Sequence, residues 1–218
     1  MLLHSTTLHR PSSSRTTRSL LKAFAVIALS LSTNSLPPLP TPTLKTHGFA
    51  NKANWLVPQK VLVGTSPLNT PSPNLTLQTL LSQNITTFVS LQSESLPEPS
   101  PHGYSQYLSS PNISYLHFKI EDFGVPETLE DLKTCVRKIH DREGKFYIHC
   151  FSGQGRTGLI ASCLLSKYYR TTAAESLEYV QKCFDLRREF GEEQKEGRSP
   201  ETEEQRDMVK RFYEEIDK

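Results

Sequence analysis

The chain has 218 residues, of which 36% are hydrophobic, with 25 Lys and Arg against 23 Asp and Glu; that is enough for one domain of ordinary size and a short extension. No Asp or Glu precedes Glu94, whereas seven of the basic residues do, so the remainder holds 18 basic and all 23 acidic residues, a balance of −5. That remainder lacks the general basic surface which nucleic acid or anionic lipid favours, and neither is expected as a partner.

The leader comes first. Residues 1–47 contain sixteen Ser or Thr, no acid, and Arg10, Arg15 and Arg18, followed by the apolar run "AFAVIALSL" from Ala23 to Leu31. Nine residues do not span a bilayer, which takes about twenty, so no stable membrane insertion is expected. The Arg- and Ser-rich start fits an organelle transit peptide, plastid or mitochondrial. The apolar run fits the core of a secretory signal, both together suit a bipartite plastid signal, and a tail without an address, leaving a cytoplasmic protein, is the plain alternative. "LPPLPTPT" (Leu36 to Thr43) reads as a stiff, disordered spacer. The expected division is therefore a leader and spacer over 1–50 and a folded domain over 51–218.

Within the domain "KVLVG" (Lys60 to Gly64) is a short strand stopped by Gly and Pro67. "LTLQTLLSQN" (Leu75 to Asn84) is a short helix and "ITTFVSL" (Ile85 to Leu91) a buried strand. A proline-rich loop, Pro97 to Pro111, leads to the strand "ISYLHFKI" (Ile113 to Ile120). From Thr128 a helix follows with Leu129, Leu132, Val136 and Ile139 on one face, ended by Gly144. "FYIHC" (Phe146 to Cys150) is a short apolar strand of the kind covered on both faces. "RTGLIASCLLSKYY" is a helix apolar nearly all round, hence buried. "AAESLEYVQKCF" is an amphipathic helix, Asp185 to Arg198 a charged connector, and a last helix starts near Thr202. Strands alternating with helices and then helices alone give an α/β fold, a central mixed or parallel sheet flanked by helices with a helical layer after it.

The chemistry concentrates in "HCFSGQGRTG", His149 to Gly158. Its cysteine ends a strand and its arginine opens a helix. Gly153 and Gly155 let the backbone curl so that successive N–H groups of Phe151, Ser152, Gly153, Gln154 and Gly155 point into one concavity. Such a nest at a helix N-terminus binds a tetrahedral oxyanion. Arg156 adds a planar fork that holds two phosphate oxygens at once. A thiol among helix N-termini and cations ionises well below its free value of about 8.5, so Cys150 is expected as a thiolate aimed at phosphorus. A bound phosphate beside an ionised nucleophile is a phosphoryl-transfer site. The G-x-x-x-x-G-K-[ST] spacing of a nucleotide cradle is absent. Cys135, Cys163 and Cys183 sit on helical faces as small core residues, without C-x-x-C pairing or zinc spacing, which suits a reducing compartment.

His149-Cys150, five residues, then Arg156-Thr157-Gly158 resembles the signature of the cysteine-dependent protein tyrosine phosphatases. "NWLVPQKVLVGTSP" (Asn54 to Pro67) and "SPETEEQ" (Ser199 to Gln205) are similar to segments of small atypical dual-specificity phosphatases. The resemblance covers about 51–218 and implies the phosphatase-like α/β fold and a phosphocysteine intermediate, with no metal or cofactor. "EDFGVP" (Glu121 to Pro126) is similar to the family's acid loop, which makes Asp122 the general acid and Glu121 the fallback. Thr157 matches the hydroxyl that bonds the leaving thiolate. Gln205 matches the second of two water-positioning glutamines, whereas Glu201 stands where the first would be. His149 is expected to bond backbone near Cys150 and hold the loop. The uncharged Phe151, Ser152 and Gln154 favour a singly phosphorylated substrate such as a phosphoprotein, and the dual-specificity resemblance implies phosphotyrosine and also phosphoserine or phosphothreonine. A phosphoglucan, a phospholipid or an RNA 5′ end is the alternative, and a phosphate-binding pseudoenzyme a third. A monomer is expected.

Overall fold

The structure, a computed structural model, describes residues 36–42, 53–93, 112–189 and 197–216. The leader up to residue 35 and the proline-rich loop expected from Pro97 to Pro111 lie outside the described residues.

A five-stranded sheet with the order β1-β2-β5-β3-β4 forms the centre. β1 (Ala53–Val57) and β2 (Val61–Gly64) are an antiparallel hairpin. β5 (Phe146–His149) lies parallel to β2 and to β3 (Thr87–Gln92), and β3 lies parallel to β4 (Ser114–Ile120). The sheet is thus mixed only because of its hairpin edge. β5 is the middle strand with all four residues buried, as its uninterrupted apolar run requires.

The pleat sends alternate β5 side chains to two cores. Phe146 and Ile148 join the larger one, with Leu132, Val136, Leu159, Ile160 and Phe212, and Tyr147 joins the smaller one, with Leu62, Leu77, Leu80 and Phe88. The smaller core takes in Leu77 and Leu80 of α1 (Pro73–Ser82). The larger one takes in α2 (Leu129–His140), α3 (Gly155–Tyr168), α4 (Ala173–Glu189) and α5 (Glu203–Ile216). α2 starts with a capping box in which Thr128 and Asp131 bond each other's backbone N–H at 3.1 Å. α3 is buried from Gly155 through Leu165, the state its all-round apolar surface demands. It carries the arginine of the glycine loop at its first turn, so the site is built into the most enclosed helix.

Three elements differ from the sequence reading. Asn54 to Val57 belong to a strand, which the three apolar residues Trp55 to Val57 before Pro58 do not announce. Its hairpin turns at Gln59, whose φ is 58°. α1 starts two residues earlier than read, at Pro73, whose fixed φ and missing N–H suit the first turn. α4 runs to Glu189, well into the stretch read as a charged connector, and it buries Arg187. Residues 190–196 of that stretch lie outside the described residues.

Residues 36–42, read as a disordered spacer, touch the domain. Pro37 accepts a hydrogen bond from the Arg170 N–H at 2.9 Å, and Leu39 packs against the larger core. Among the described residues no helix is long and apolar enough to cross a membrane.

Candidate active site

Cys150 follows directly on β5 and is buried, and the chain then turns through Phe151 to Gln154 into α3. Each carbonyl of that turn is held from outside it. The Ser66 N–H donates to Phe151 O at 3.1 Å and Thr65 Oγ1 to Ser152 O at 3.1 Å. Arg187 Nη2 donates to Gly153 O at 3.0 Å and Ser199 Oγ to Gln154 O at 2.8 Å. A trans peptide places its N–H opposite its carbonyl, so four carbonyls tied outward turn the N–H groups that follow them inward. That is the nest expected from the glycines. Gly153 has φ +73°, and a Cβ there would lie 2.4 Å from the backbone of Gly64, so no other residue fits.

Arg156 is 2% exposed and fixed at both ends of its fork. Nη1 donates to Ile120 O at 3.2 Å, and Nη2 pairs with Asp122 Oδ1 at 2.8 Å. Asp122 is half-exposed at the tip of the turn after β4, with the Phe123 N–H donating to the same Oδ1 at 3.1 Å. Glu121, the fallback acid, instead accepts from Ser93 Oγ at 2.9 Å. The acid turn is tied to the start of α5. Thr202 Oγ1 donates to Phe123 O at 3.2 Å, and Gln205 Nε2 donates to Gly124 O at 2.9 Å. Gln205 Oε1 accepts from the N–H groups of Glu201 and Thr202 at 3.0 and 3.2 Å. A Cβ on Gly155 would lie 3.0 Å from Gln205 Oε1 and 3.1 Å from Glu201 Oε2, so these side chains press on the glycine loop.

The remaining candidates lie close by. His149 Nδ1 lies 3.1 Å from Cys150 O, and because a carbonyl only accepts, Nδ1 carries the proton. Burial lowers the His149 imidazole to about 4 against a weaker opposing effect of that hydrogen bond, so the ring is neutral at neutral pH. It stacks on Tyr147 at 5.8 Å. Thr157 is buried, and its Oγ1 has no hydrogen-bond partner among the described residues. Phe151 is 47% exposed at the mouth, and Ser152 beside it is exposed too. Burial raises the Glu201 carboxyl, the nearby Asp122 raises it further, and Arg156 opposes both.

The structure therefore brings Asp122, Arg156, Gln205 and the glycine loop together from three separate stretches of chain. Gln205, read as a water-positioning residue, has its amide engaged with the acid turn and the start of α5. Sequence reasoning missed Arg187 and Ser199 as supports of the loop. Arg187 lies at i+4 from Cys183 and i+7 from Val180 on the apolar face of α4, a continuation hidden by the surrounding charges. Among the described residues no group of three or more His, Cys, Asp or Glu is arranged to hold a metal ion.

Residues 50–209 match the family described as Swiss Army Knife protein, DSP-PTPase phosphatase domain (PTP-SAK). The chain belongs to this family. Human dual specificity protein phosphatase CDC14C is similar to the DSP-PTPase domain here at 24% identity over 139 residues, 60% of this chain and 29% of that protein. The chain thus spans under a third of that relative. Inositol diphosphatase DSP5 of Arabidopsis thaliana is 34% identical over 95 residues, 42% of this chain and 46% of its own length. Tk-PTP in its active form is a solved structure with a TM-score of 0.57 at 22% identity, covering 75% of this chain and 97% of that one. The fold is that of the DSP-PTPase phosphatases.

Proposed function

We propose that this DSP-PTPase domain hydrolyses phosphate monoesters on protein, phosphotyrosine and also phosphoserine or phosphothreonine, through a phosphocysteine intermediate. The observation that carries the reading is the meeting of Cys150, the inward-turned loop and the Arg156–Asp122 pair in one place. The loop N–H groups and the Arg156 guanidinium, whose Nη2 the phosphate takes over from Asp122, hold the phosphoryl oxygens, where preorganised donors contribute most. Cys150 Sγ attacks phosphorus while the P–O bond to the leaving group breaks, and protonated Asp122 gives its proton to that oxygen. Water then attacks phosphorus, the P–S bond breaks, and Asp122 takes a proton from the water. The burial of the Thr157 hydroxyl without a partner among the described residues supports a role in donating to the departing thiolate.

Support for a protein substrate comes from the dual-specificity relative and from the uncharged Phe151, Ser152 and Gln154 at the loop. The inositol diphosphatase relative favours a second reading, a non-protein phosphate ester. One experiment separates them: turnover of phosphotyrosine peptide, phosphothreonine peptide and an inositol phosphate by wild type, Cys150→Ser and Arg156→Lys. Peptide turnover that Cys150→Ser abolishes and Arg156→Lys mostly removes is the expected result. Preference for the inositol phosphate favours the second reading, and no turnover of any of them overturns both. For the leader, the acid-free Arg- and Ser-rich composition supports an organelle address. Imaging residues 1–50 fused to a fluorescent protein tests it.

A further inference from the structure

Arg187 is a buried cation that the reaction described above does not use. It is 6% exposed, and among the described residues no carboxylate pairs with it. Its Nη2 donates to Gly153 O at 3.0 Å, its guanidinium stands 5.2 Å from the centre of the Phe184 ring, and its Nε has no hydrogen-bond partner among the described residues. A buried charge without a counter-ion is costly and persists only where something of opposite sign offsets it. The titratable groups that sense Arg187 are Cys150, Cys183 and the Tyr147 hydroxyl. Cys183 and Tyr147 are held neutral, because burial drives both well above their usual range. Cys150 lies in the loop whose Gly153 carbonyl Arg187 binds.

That carbonyl has a geometric consequence. The Gly153–Gln154 peptide is planar, so fixing its C=O on α4 aims the Gln154 N–H the opposite way, into the nest. The other three carbonyls of the turn are held by a backbone N–H and two neutral hydroxyls, so Arg187 is the charged brace of the four.

We propose that Arg187 is a positioning residue of the phosphate site, aiming the Gln154 N–H through Gly153 and balancing its own charge against the Cys150 thiolate and the bound phosphate. It acts from behind the loop and never touches the ester. This rests on the phosphatase reading. It implies that the cation of α4 and the cation of α3 serve one anion, Arg187 through the Gly153 carbonyl and Arg156 directly.

The test uses the full chain with Arg187→Met, which keeps the stem and loses the charge, and Arg187→Lys, which keeps the charge and loses the fork. Three quantities are read: the thermal midpoint, the Kd for tungstate, and the ultraviolet thiolate absorbance at neutral pH relative to Cys150→Ser. For Arg187→Met the expected result is tungstate binding weakened about tenfold or more, with most of the thiolate signal lost. Arg187→Lys is expected to recover the thiolate signal but not the full tungstate affinity. A folded Arg187→Met with wild-type thiolate signal and tungstate affinity overturns the proposal. So does a loss that merely follows the thermal midpoint in both variants, which is what a strut would give. Should Arg187→Met not fold, Arg187→Lys decides by its tungstate affinity at unchanged midpoint, with unchanged affinity overturning the proposal. A wild type that binds no tungstate overturns the phosphatase reading itself, and that outcome is distinct from the others.

Discussion

Asp122 and Arg156 are joined by an ion pair of 2.8 Å between a half-exposed carboxylate and a buried guanidinium. The same fork holds the Ile120 carbonyl at 3.2 Å, so the end of β4, the acid turn and the first turn of α3 are one unit. The pair brings Asp122 beside the cation proposed to hold the ester's phosphate, and a phosphate bound at Nη2 replaces the carboxylate there before Asp122 serves the ester oxygen.

The consequence for Asp122→Ala is selective. General acid catalysis contributes about 10²–10⁴-fold, and it does so where the leaving oxygen is basic. Phosphopeptide turnover should fall by that order, while nitrophenyl phosphate, whose leaving group needs little help, should lose far less. Asp122→Asn, which keeps a hydrogen-bonding group facing Arg156, should behave the same way. Equal losses on both substrates would sink the acid assignment. Glu121 bonds Ser93 and does not face Arg156, so Glu121→Gln should leave both rates close to wild type.

Much of this was legible in the sequence, for identifiable reasons. Cys150, Arg156 and the two loop glycines sit within one short stretch, so strand, turn and helix signals place them without knowledge of the rest. Asp122 was readable only through the likeness of "EDFGVP" to the family's acid loop, since a lone Asp in a turn reads as a solvated cap. What could not be read depends on side chains arriving from far away. Ser199 reaches Gln154 and Arg187 reaches Gly153 only because α4 and the start of α5 pack under the loop. Arg187 was further masked by its neighbours, since a charged run reads as solvated surface until packing shows which face is turned inward. β1 was missed because its hairpin partner β2 stabilises it more than its own short pattern does.

Thr157→Val isolates the second chemical step. The Thr157 Oγ1 is buried without a partner among the described residues, so its removal breaks no hydrogen bond there. Replacing a buried polar group by an apolar group of the same shape is then nearly neutral or stabilising, and the thermal midpoint should hold or rise. The departing thiolate, however, loses its donor. Phosphocysteine hydrolysis should slow, and rapid-quench kinetics should show a burst with accumulated phosphoenzyme. A lowered midpoint with unchanged kinetics would assign the hydroxyl to folding instead.

His149 makes acid stability measurable at one residue. Its folded value near 4 lies below the unfolded value of about 6.5, caused first by burial. Between these values the unfolded chain binds a proton that the folded chain does not, so stability falls as pH drops from about 6.5 to 4. The full effect is up to about 3 kcal/mol. Urea unfolding across that range should show the decline, and nuclear magnetic resonance of the ring should show no protonation of the folded state above about pH 5. A ring that titrates near its ordinary value in the folded protein would contradict both.

Gly158 sits where α3 meets the segment before α5, and it gives the sharpest conflict between local and tertiary preference. Alanine is the better helix former by about 1 kcal/mol. A Cβ at Gly158, however, would lie 2.4 Å from Ser199 Oγ and 3.0 Å from Pro200 N. The serine hydroxyl can rotate away, but only by giving up its bond to Gln154 O, and the Pro200 backbone cannot. Overpacking of this kind costs about 1–3 kcal/mol, which outweighs the propensity gain. Gly158→Ala should therefore lower the thermal midpoint, by about 2–4 °C for each kcal/mol of net loss in a chain of this size. Because the lost contact holds a carbonyl of the phosphate loop, tungstate affinity should fall with it. A Ser199→Ala, Gly158→Ala double variant should recover part of the midpoint, since the clash with the hydroxyl is gone, but not the affinity, since the Gln154 carbonyl still lacks its donor. Recovery of both would mean that the Ser199 hydrogen bond plays no part in shaping the loop.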